Sequence, residues 1–228
     1  MGEEIDYIKR DNWRCFMTVE RNRIGRSFWL RWVLVCIVGW FLGIFIGSYL
    51  FNIIIYIEIF RRNALGFILA NSIGGAALGS VVGLMQWLIL RRRFSWAGWW
   101  IFASTVGFAF AGGGGTGAKL AAIGGYREMG YWSGLIVEWA IIMVLGGAVT
   151  GILQWLILRS QASRAGWWVL ASTVGCGSMV LWEACFGCKF WGEGILPFLL
   201  LSVWSGAVLG MVTGGALVWL LRQSVPEV

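Results

Sequence analysis

The sequence predicts an all-α integral membrane protein of six transmembrane helices, and three observations support this fold class. Hydrophobic residues make up 59% of the 228 residues, charged residues only 13%, and the mean hydropathy is +0.76. Soluble domains carry more charge and disordered chains are less hydrophobic, so both classes are excluded. Six apolar stretches reach the roughly 20 residues that a helix needs to cross a bilayer. Identical segments also recur along the chain at one constant spacing.

The predicted elements follow one another with short polar connections. Residues 1–27 form a polar segment of mixed charge, either a short cytoplasmic helix or a disordered tail. The apolar run that begins at Phe28 is longer than a signal-peptide core of about 7–15 residues and has no clear cleavage site, so we predict an uncleaved first span. The predicted spans are 28–51, 64–90, 98–118, 131–158, 166–186 and 195–221, and residues 222–228 form a tail.

Lys and Arg are distributed unevenly between the two ends of these spans. Thirteen of the 18 lie in the region up to Arg31, in the connections 91–93 and 159–164, and at Arg222. By the positive-inside rule both termini are cytoplasmic, which agrees with an even number of spans. We therefore attribute the net charge of +7 to membrane orientation and expect no nucleic-acid partner. The expected location is a bacterial inner membrane.

An internal repeat divides the six spans into three pairs. The segments 86–91, 97–100 and 103–107 recur identically at 154–159, 165–168 and 171–175. We call this constant offset between residue numbers the repeat spacing. Trp32 and Gly39 continue it into the first span, and 218–222 resembles the first repeated segment with about four residues missing.

The three units, 28–90, 98–158 and 166–221, each contain two spans and therefore share one orientation. Parallel repeats of this kind are related by an axis along the membrane normal. We therefore predict that the six spans form a pseudo-threefold bundle of three parallel two-helix repeats.

Small residues at four-residue spacing predict close helix packing. Within a bilayer, hydrophobicity does not drive one helix against another, and contact through small residues takes its place. The predicted packing positions are Gly75, Gly79, Gly83, Gly147, Gly151, Gly206 and Gly210. The alternative is that these stripes line a narrow pore.

Tryptophan is abundant, with 17 residues, and many lie near the cytoplasmic ends of the spans. Indoles prefer the headgroup level of a bilayer, so an aromatic belt is expected. The alternative is an aromatic cage for a cation or a stacking surface for a pigment. The tryptophans assigned to the cytoplasmic belt are Trp32, Trp87, Trp99, Trp100, Trp155, Trp167, Trp168 and Trp219.

Gln86 and Gln154 occupy the same repeat position, about one turn from a cytoplasmic helix end. A side-chain amide near hydrocarbon needs a hydrogen-bonding partner. We predict an interhelical clasp to the Ser-Thr pair at 104–105 or 172–173, or to loop backbone, with a ligand site as the alternative. In the third unit the aligned residue is Val218, so a ring of such amides is incomplete.

Glu138 lies further inside its predicted span than Glu183, which is near the outer end of the fifth span, and acidic residues within spans are candidates for function. It precedes Arg159 by 21 residues, or about 31 Å of helix. It therefore lies near the outer interface, where it either serves function, snorkels, or pairs with a basic residue such as Lys119. Asn71 is a second polar candidate, which faces a water-filled cavity if the chain is a permease.

Several kinds of chemistry are excluded by composition. Histidine is absent, which removes His-dependent catalytic triads, HExxH metal sites and His-ligated haem.

Cys185 and Cys188 form an isolated CxxC, either a local disulfide or two free thiols. The stretch 112–117 matches GxGxxG, but no strand precedes it, so nucleotide binding is not expected. We predict no catalytic residues, no metal, no cofactor and no enzymatic activity.

The repeated Gln-Trp-Leu-x-Leu-Arg and Ala-Gly-Trp-Trp segments resemble those of uncharacterised bacterial multi-pass membrane proteins built of Gly-rich and Trp-rich two-span repeats. The resemblance covers about 28–221 and implies a membrane location without an assigned activity. The leading hypothesis is a non-enzymatic membrane scaffold or assembly protein, in the lipid bilayer, that packs against another membrane protein or a second copy. The alternative is a small permease or channel for an ion or small solute.

Overall fold

The computed structural model describes residues 25–57, 63–92, 96–121, 131–160, 164–182 and 195–223, which contain six α-helices and no strand. The helices follow the six predicted spans, although the first and third extend beyond their predicted ends and residues 183–186 of the fifth span lie outside the described residues. In chain order they are α1 (Arg26–Tyr56), α2 (Ala64–Leu90), α3 (Gly98–Ala121), α4 (Tyr131–Leu158), α5 (Trp167–Trp182) and α6 (Ile195–Gln223).

Four stretches of these helices are long and apolar enough to cross a membrane. They are Arg26–Tyr56, Ala64–Leu90, Ala140–Leu158 and Leu199–Gln223, and Trp167–Val180 is a shorter apolar helix. The described part of the chain is thus all-helical and has multi-pass membrane character. Of the predicted head 1–27 and tail 222–228, residues 1–24 and 224–228 lie outside the described residues, while 26–27 and 222–223 belong to the first and last helices.

The start of α2 is fixed by an Asn cap. The Asn63 side chain accepts a hydrogen bond from the backbone N–H of Gly66, at 2.5 Å. A cap of this kind satisfies one of the backbone donors that the first turn of a helix leaves unpaired. It therefore sets where the chain re-enters a helix after the connection that follows α1.

The helices pack as a closed ring. Each helix packs against the next one along the chain, and α6 packs against both α5 and α1. Short connections make consecutive helices antiparallel neighbours. The starts of α1, α3 and α5 therefore share one end of the ring with the ends of α2, α4 and α6.

Glycines on the even-numbered helices allow their backbones to approach an odd-numbered neighbour. A Cβ atom added at Gly79 would collide with the carbonyl oxygen of Ser104 on α3. At Gly147 it would lie 2.7 Å from the carbonyl oxygen of Ser172, and at Gly206 2.8 Å from that of Cys36.

The residues approached on α1, α3 and α5 are therefore related by the repeat spacing. Gly83, Gly151 and Gly210 repeat the contact one turn further along. Gly75 packs closely against the backbone of Phe108. All seven glycines predicted from their spacing thus lie against a neighbouring helix.

Two buried clusters fill the middle of the ring. The tryptophan layer lies at the end where α1, α3 and α5 begin, and it consists of Phe28, Trp32, Cys36, Leu90, Ala97, Trp100, Leu158, Ala165, Trp168, Leu217 and Leu220. The second layer lies deeper along the helices, and it consists of Trp40, Val82, Phe108, Met143, Cys176, Met179, Val180 and Leu209.

Candidate functional site: a hydrogen-bonded tryptophan layer

Three tryptophans, one from each odd-numbered helix, meet in the middle of the ring. Trp32, Trp100 and Trp168 are at most 1% exposed. Their ring centroids lie 6.4, 6.2 and 5.3 Å apart, and all three pairs are edge-to-face. This geometry is favourable because the positive edge of one indole meets the negative face of another. The three indoles together fill the middle of the helix ring at this level.

Each of these indoles donates its N–H to a side chain on an even-numbered helix. Trp100 Nε1 donates to Gln86 Oε1 at 2.8 Å, and Trp168 Nε1 donates to Gln154 Oε1 at 2.9 Å. Trp32 Nε1 donates to Thr213 Oγ1 at 3.0 Å. Burial of an indole without a partner for its N–H is costly, so these bonds make the tryptophan layer compatible with an apolar interior.

The glutamines use their amide nitrogens to reach a second odd-numbered helix. Gln154 Nε2 donates to Ser104 Oγ at 3.0 Å, and Gln86 Nε2 donates to Cys36 Sγ at 3.5 Å. Each glutamine on an even helix therefore links the odd helix before it to the odd helix after it. Gln154 thus bonds to Ser104 of the predicted pair 104–105, whereas Gln86 bonds to neither predicted Ser-Thr pair. The indoles and Cys36 are partners that were not predicted from the sequence.

The expected aromatic belt is wrong for the three tryptophans of this layer. A preference of indoles for the headgroup level describes depth along the membrane normal but not whether a ring points inward. Trp32, Trp100 and Trp168 point inward, where each finds an acceptor for its N–H. Their chain neighbours Trp99 and Trp167 are 56% and 57% exposed.

In the third unit, Thr213 and not Val218 accepts the hydrogen bond of an indole, that of Trp32. The Gly–Gly–Gln spacing of 79, 83 and 86 recurs at 147, 151 and 154, and then at 206, 210 and Thr213. This glycine spacing is the sequence signal that identifies Thr213 as the equivalent of Gln86 and Gln154. Matching the segment 218–222 to the earlier Trp-Leu segments shifts the third unit out of this register.

Three buried polar atoms among the described side chains have no hydrogen-bond partner. They are Trp40 Nε1, Thr150 Oγ1 and Ser172 Oγ. Ser172 is the repeat equivalent of Ser104, whose hydroxyl accepts from Gln154. The equivalent donor is missing beside Ser172 because a threonine at 213 carries no amide.

The two remaining polar candidates do not join this layer. Asn71 is half-buried, and its Nδ2 donates to the carbonyl oxygen of Phe67, one turn earlier on its own helix, at 2.9 Å. Glu138 lies within α4, but its side chain is outside the described residues. The structure therefore brings together Gln86 and Gln154 with the tryptophans, but not Asn71.

Thiols and acids make no further cluster in the described part of the chain. Cys36 and Cys176 are free and buried in the two core layers. No group of three His, Cys, Asp or Glu side chains suited to a metal ion occurs among the described residues. Cys185 and Cys188 lie outside them.

The described site is thus a packed and internally hydrogen-bonded layer whose donors and acceptors serve contacts between helices. Comparison of the chain with family models, curated proteins and solved structures finds no match.

Proposed function

We propose that this chain is a non-enzymatic integral membrane scaffold whose outer face packs against other membrane proteins. The observation that carries this proposal is the tryptophan layer, in which three indoles fill the middle of the ring and their N–H groups are hydrogen-bonded. A transport pathway needs polar groups that face a passage. Here both glutamines of the layer use their amides between helices.

The proposed topology has six spans in three equivalent pairs around a pseudo-threefold axis, with both termini in the cytoplasm. It is supported by contacts that recur at the repeat spacing, since Trp100 with Gln86 and Trp168 with Gln154 are such a pair. The seven arginines whose side chains are described also lie at the end where α1, α3 and α5 begin. Reporter fusions after Arg92 and after Gln223 test the topology, and both are expected to report a cytoplasmic location.

The surface offered to a partner is the apolar outside of the ring. Leu34 on α1, Phe102 on α3 and Leu170 on α5 are 59%, 58% and 54% exposed. Outside a bilayer such residues would form a large apolar patch, while inside it they meet lipid or another helix. A scaffold would hold its partner by this face and leave the core unchanged.

Photo-crosslinking in the native membrane tests the scaffold proposal. A photoreactive residue is placed at Leu34, Phe102 or Leu170 in turn, and at buried Trp100 as the inward control. The expected result is one stoichiometric adduct of a single mass from one of the three outward positions and none from Trp100. Equal, lipid-only labelling at all outward positions would contradict the proposal.

A permease or channel is the second candidate function, and it rests on Glu138 in the apolar helix α4. An acid within a membrane span is commonly part of an ion or proton pathway. The test is ion and proton flux in liposomes that contain the purified chain or its Glu138→Gln variant. Flux that the variant abolishes would support a channel, whereas the scaffold proposal expects no flux from either protein.

A further inference from the structure

Arginines are concentrated at one end of the ring, which we call the arginine end. Seven arginines have described side chains, and all lie at the starts of odd-numbered helices or the ends of even-numbered ones: Arg26, Arg31, Arg91, Arg92, Arg159, Arg164 and Arg222. None of the residues described at this end is Asp or Glu. The field at this end therefore favours anionic partners over zwitterionic ones.

Two of these arginines stack on tryptophans of their own helices. The Arg91 guanidinium lies 5.1 Å from the centroid of the Trp87 ring, and that of Arg159 lies 5.9 Å from the centroid of Trp155. The two pairs are repeat equivalents of each other. These contacts hold the two cations against the ends of α2 and α4.

Arg164 lies in a different setting, because it lines a shallow groove. The groove has a volume of about 330 Å³, and its other lining residues are Gly166, Trp167 and Leu170. Trp167 meets Trp219 of α6 edge-to-face at 6.3 Å, so the apolar wall continues onto the neighbouring helix. The groove thus combines one cation, an exposed indole and an apolar wall formed by Leu170 and, on the neighbouring helix, Trp219.

We propose that this groove binds one anionic phospholipid. Arg164 contacts the headgroup phosphate, Trp167 lies at the headgroup level, and Leu170 and Trp219 contact the acyl chains. The occupant follows from charge complementarity, because basic side chains at a membrane surface attract anionic lipids and indoles favour that depth. The inference rests on the membrane placement in the proposed function, but it needs no protein partner.

The repeat supplies an uncharged counterpart of the groove. The repeat equivalents of the lining residues are Trp96, Gly98, Trp99 and Phe102, which keep the glycine and the indole but replace the arginine with tryptophan. Arg164→Trp therefore gives the connection before α5 the residue that the connection before α3 already carries at the equivalent position. The variant removes the charge without a foreign side chain.

Native mass spectrometry of the full chain in a mild detergent tests the proposal. The protein is titrated with phosphatidylglycerol and with phosphatidylcholine of identical acyl chains. Wild type is expected to bind the first phosphatidylglycerol more tightly than the first phosphatidylcholine. Arg164→Trp is expected to weaken phosphatidylglycerol binding about fivefold and to leave phosphatidylcholine unchanged.

Two matched variants distinguish lipid binding in this groove from a general attraction of anionic lipid to the arginine end. Arg164→Lys keeps the charge and is expected to keep the preference, and Arg92→Gln removes an exposed arginine of the same end outside the groove. Retained binding in Arg92→Gln supports the site. The proposal is overturned if wild type shows no preference, if Arg164→Trp binds phosphatidylglycerol normally, or if Arg92→Gln loses as much as Arg164→Trp.

This outcome is independent of the scaffold proposal. Lipid preference is measured on purified chain, whereas a scaffold is judged by adducts in the native membrane. An Arg164→Trp protein with wild-type elution volume and melting temperature shows that loss of lipid binding is not a loss of fold.

Discussion

The tryptophan layer contains three pairs of an indole and its hydrogen-bond acceptor, which we call corners. Two corners have a glutamine as acceptor and one has a threonine, and they differ in how many helices the acceptor side chain joins. At the glutamine corners, Gln86 meets Trp100 and Gln154 meets Trp168. Each amide also reaches a third helix, through Cys36 or Ser104. At the threonine corner, Thr213 accepts from Trp32 and donates to the carbonyl oxygen of Leu209 on its own helix, at 2.6 Å.

The difference shows that equivalent backbone packing does not require equivalent side-chain chemistry. An amide has both donors and an acceptor, so it satisfies an indole and a hydroxyl together, whereas a hydroxyl has a single proton to donate. Thr213 therefore takes part in one interhelical hydrogen bond, from Trp32, and Ser172 is left without a donor. The threonine corner also joins the first helix to the last.

The largest expected effect comes from breaking the close approach that both kinds of corner share. We predict that Gly79→Ala, Gly147→Ala and Gly206→Ala each lower the free energy of unfolding by about 1–3 kcal/mol, because the new methyl meets backbone that has little room to move. Denaturant titration in mixed micelles measures this. Gly215→Ala on α6 is the control, since nothing lies within 4 Å of its added Cβ.

Equal losses at Gly79 and Gly206 would show that the corners differ only in their side chains. A smaller loss at Gly206 alone would show that the closing contact between α6 and α1 is looser than the others. No loss at any of the three positions would contradict the close helix approach described above.

The next largest effect is expected from removing each indole N–H, which compares the glutamine corners with the threonine corner directly. We predict that Trp100→Phe and Trp168→Phe leave a buried glutamine oxygen without a donor, which costs about 1–3 kcal/mol. Trp32→Phe is expected to lower the free energy of unfolding by about 1 kcal/mol less than Trp100→Phe or Trp168→Phe. The reason is that Thr213 keeps its hydrogen bond to the carbonyl oxygen of Leu209. The loss of ring volume is common to all three variants, so thermal unfolding compares the corners. Equal losses would refute a distinct threonine corner.

The smallest effect has opposite signs at two equivalent serines. Ser104→Ala removes the acceptor for Gln154 and is expected to destabilise the protein by about 1 kcal/mol. Ser172→Ala removes a buried hydroxyl that has no partner, so it is expected to stabilise the protein by up to about 1 kcal/mol. Both serines are at most 4% exposed and occupy the same repeat position. Melting temperatures that fall for both variants would contradict the difference between the corners.

The sequence predicted the helices well because apolar length determines them locally. The ranges 64–90 and 131–158 were predicted and are the bounds of α2 and α4. The repeat spacing also identified Gln86 and Gln154 as positions that need partners. Both arguments use only distance along the chain and the cost of a polar group in hydrocarbon.

The partners themselves were harder to predict, because they depend on which way a side chain points around the ring. Trp100 and Trp99 are adjacent in sequence and equally suited to a headgroup belt, yet one is buried and the other exposed. Thr213 was missed because sequence identity at Trp219 outweighed the glycine register. A register taken from Gly206 and Gly210 would have placed it correctly.

The closure of α6 onto α1 also has a consequence for the time at which the ring forms during synthesis. Trp100 and Trp168 each follow their glutamine by 14 residues, whereas Thr213 follows Trp32 by 181 residues. At about 5–20 residues per second, roughly 10–35 s pass before the acceptor for Trp32 is made. During that interval the face of α1 that packs against α6 has no partner from its own chain, so α6 of a neighbouring copy has access to it. A translational pause before Ile195 would therefore favour exchange of the last helix between chains.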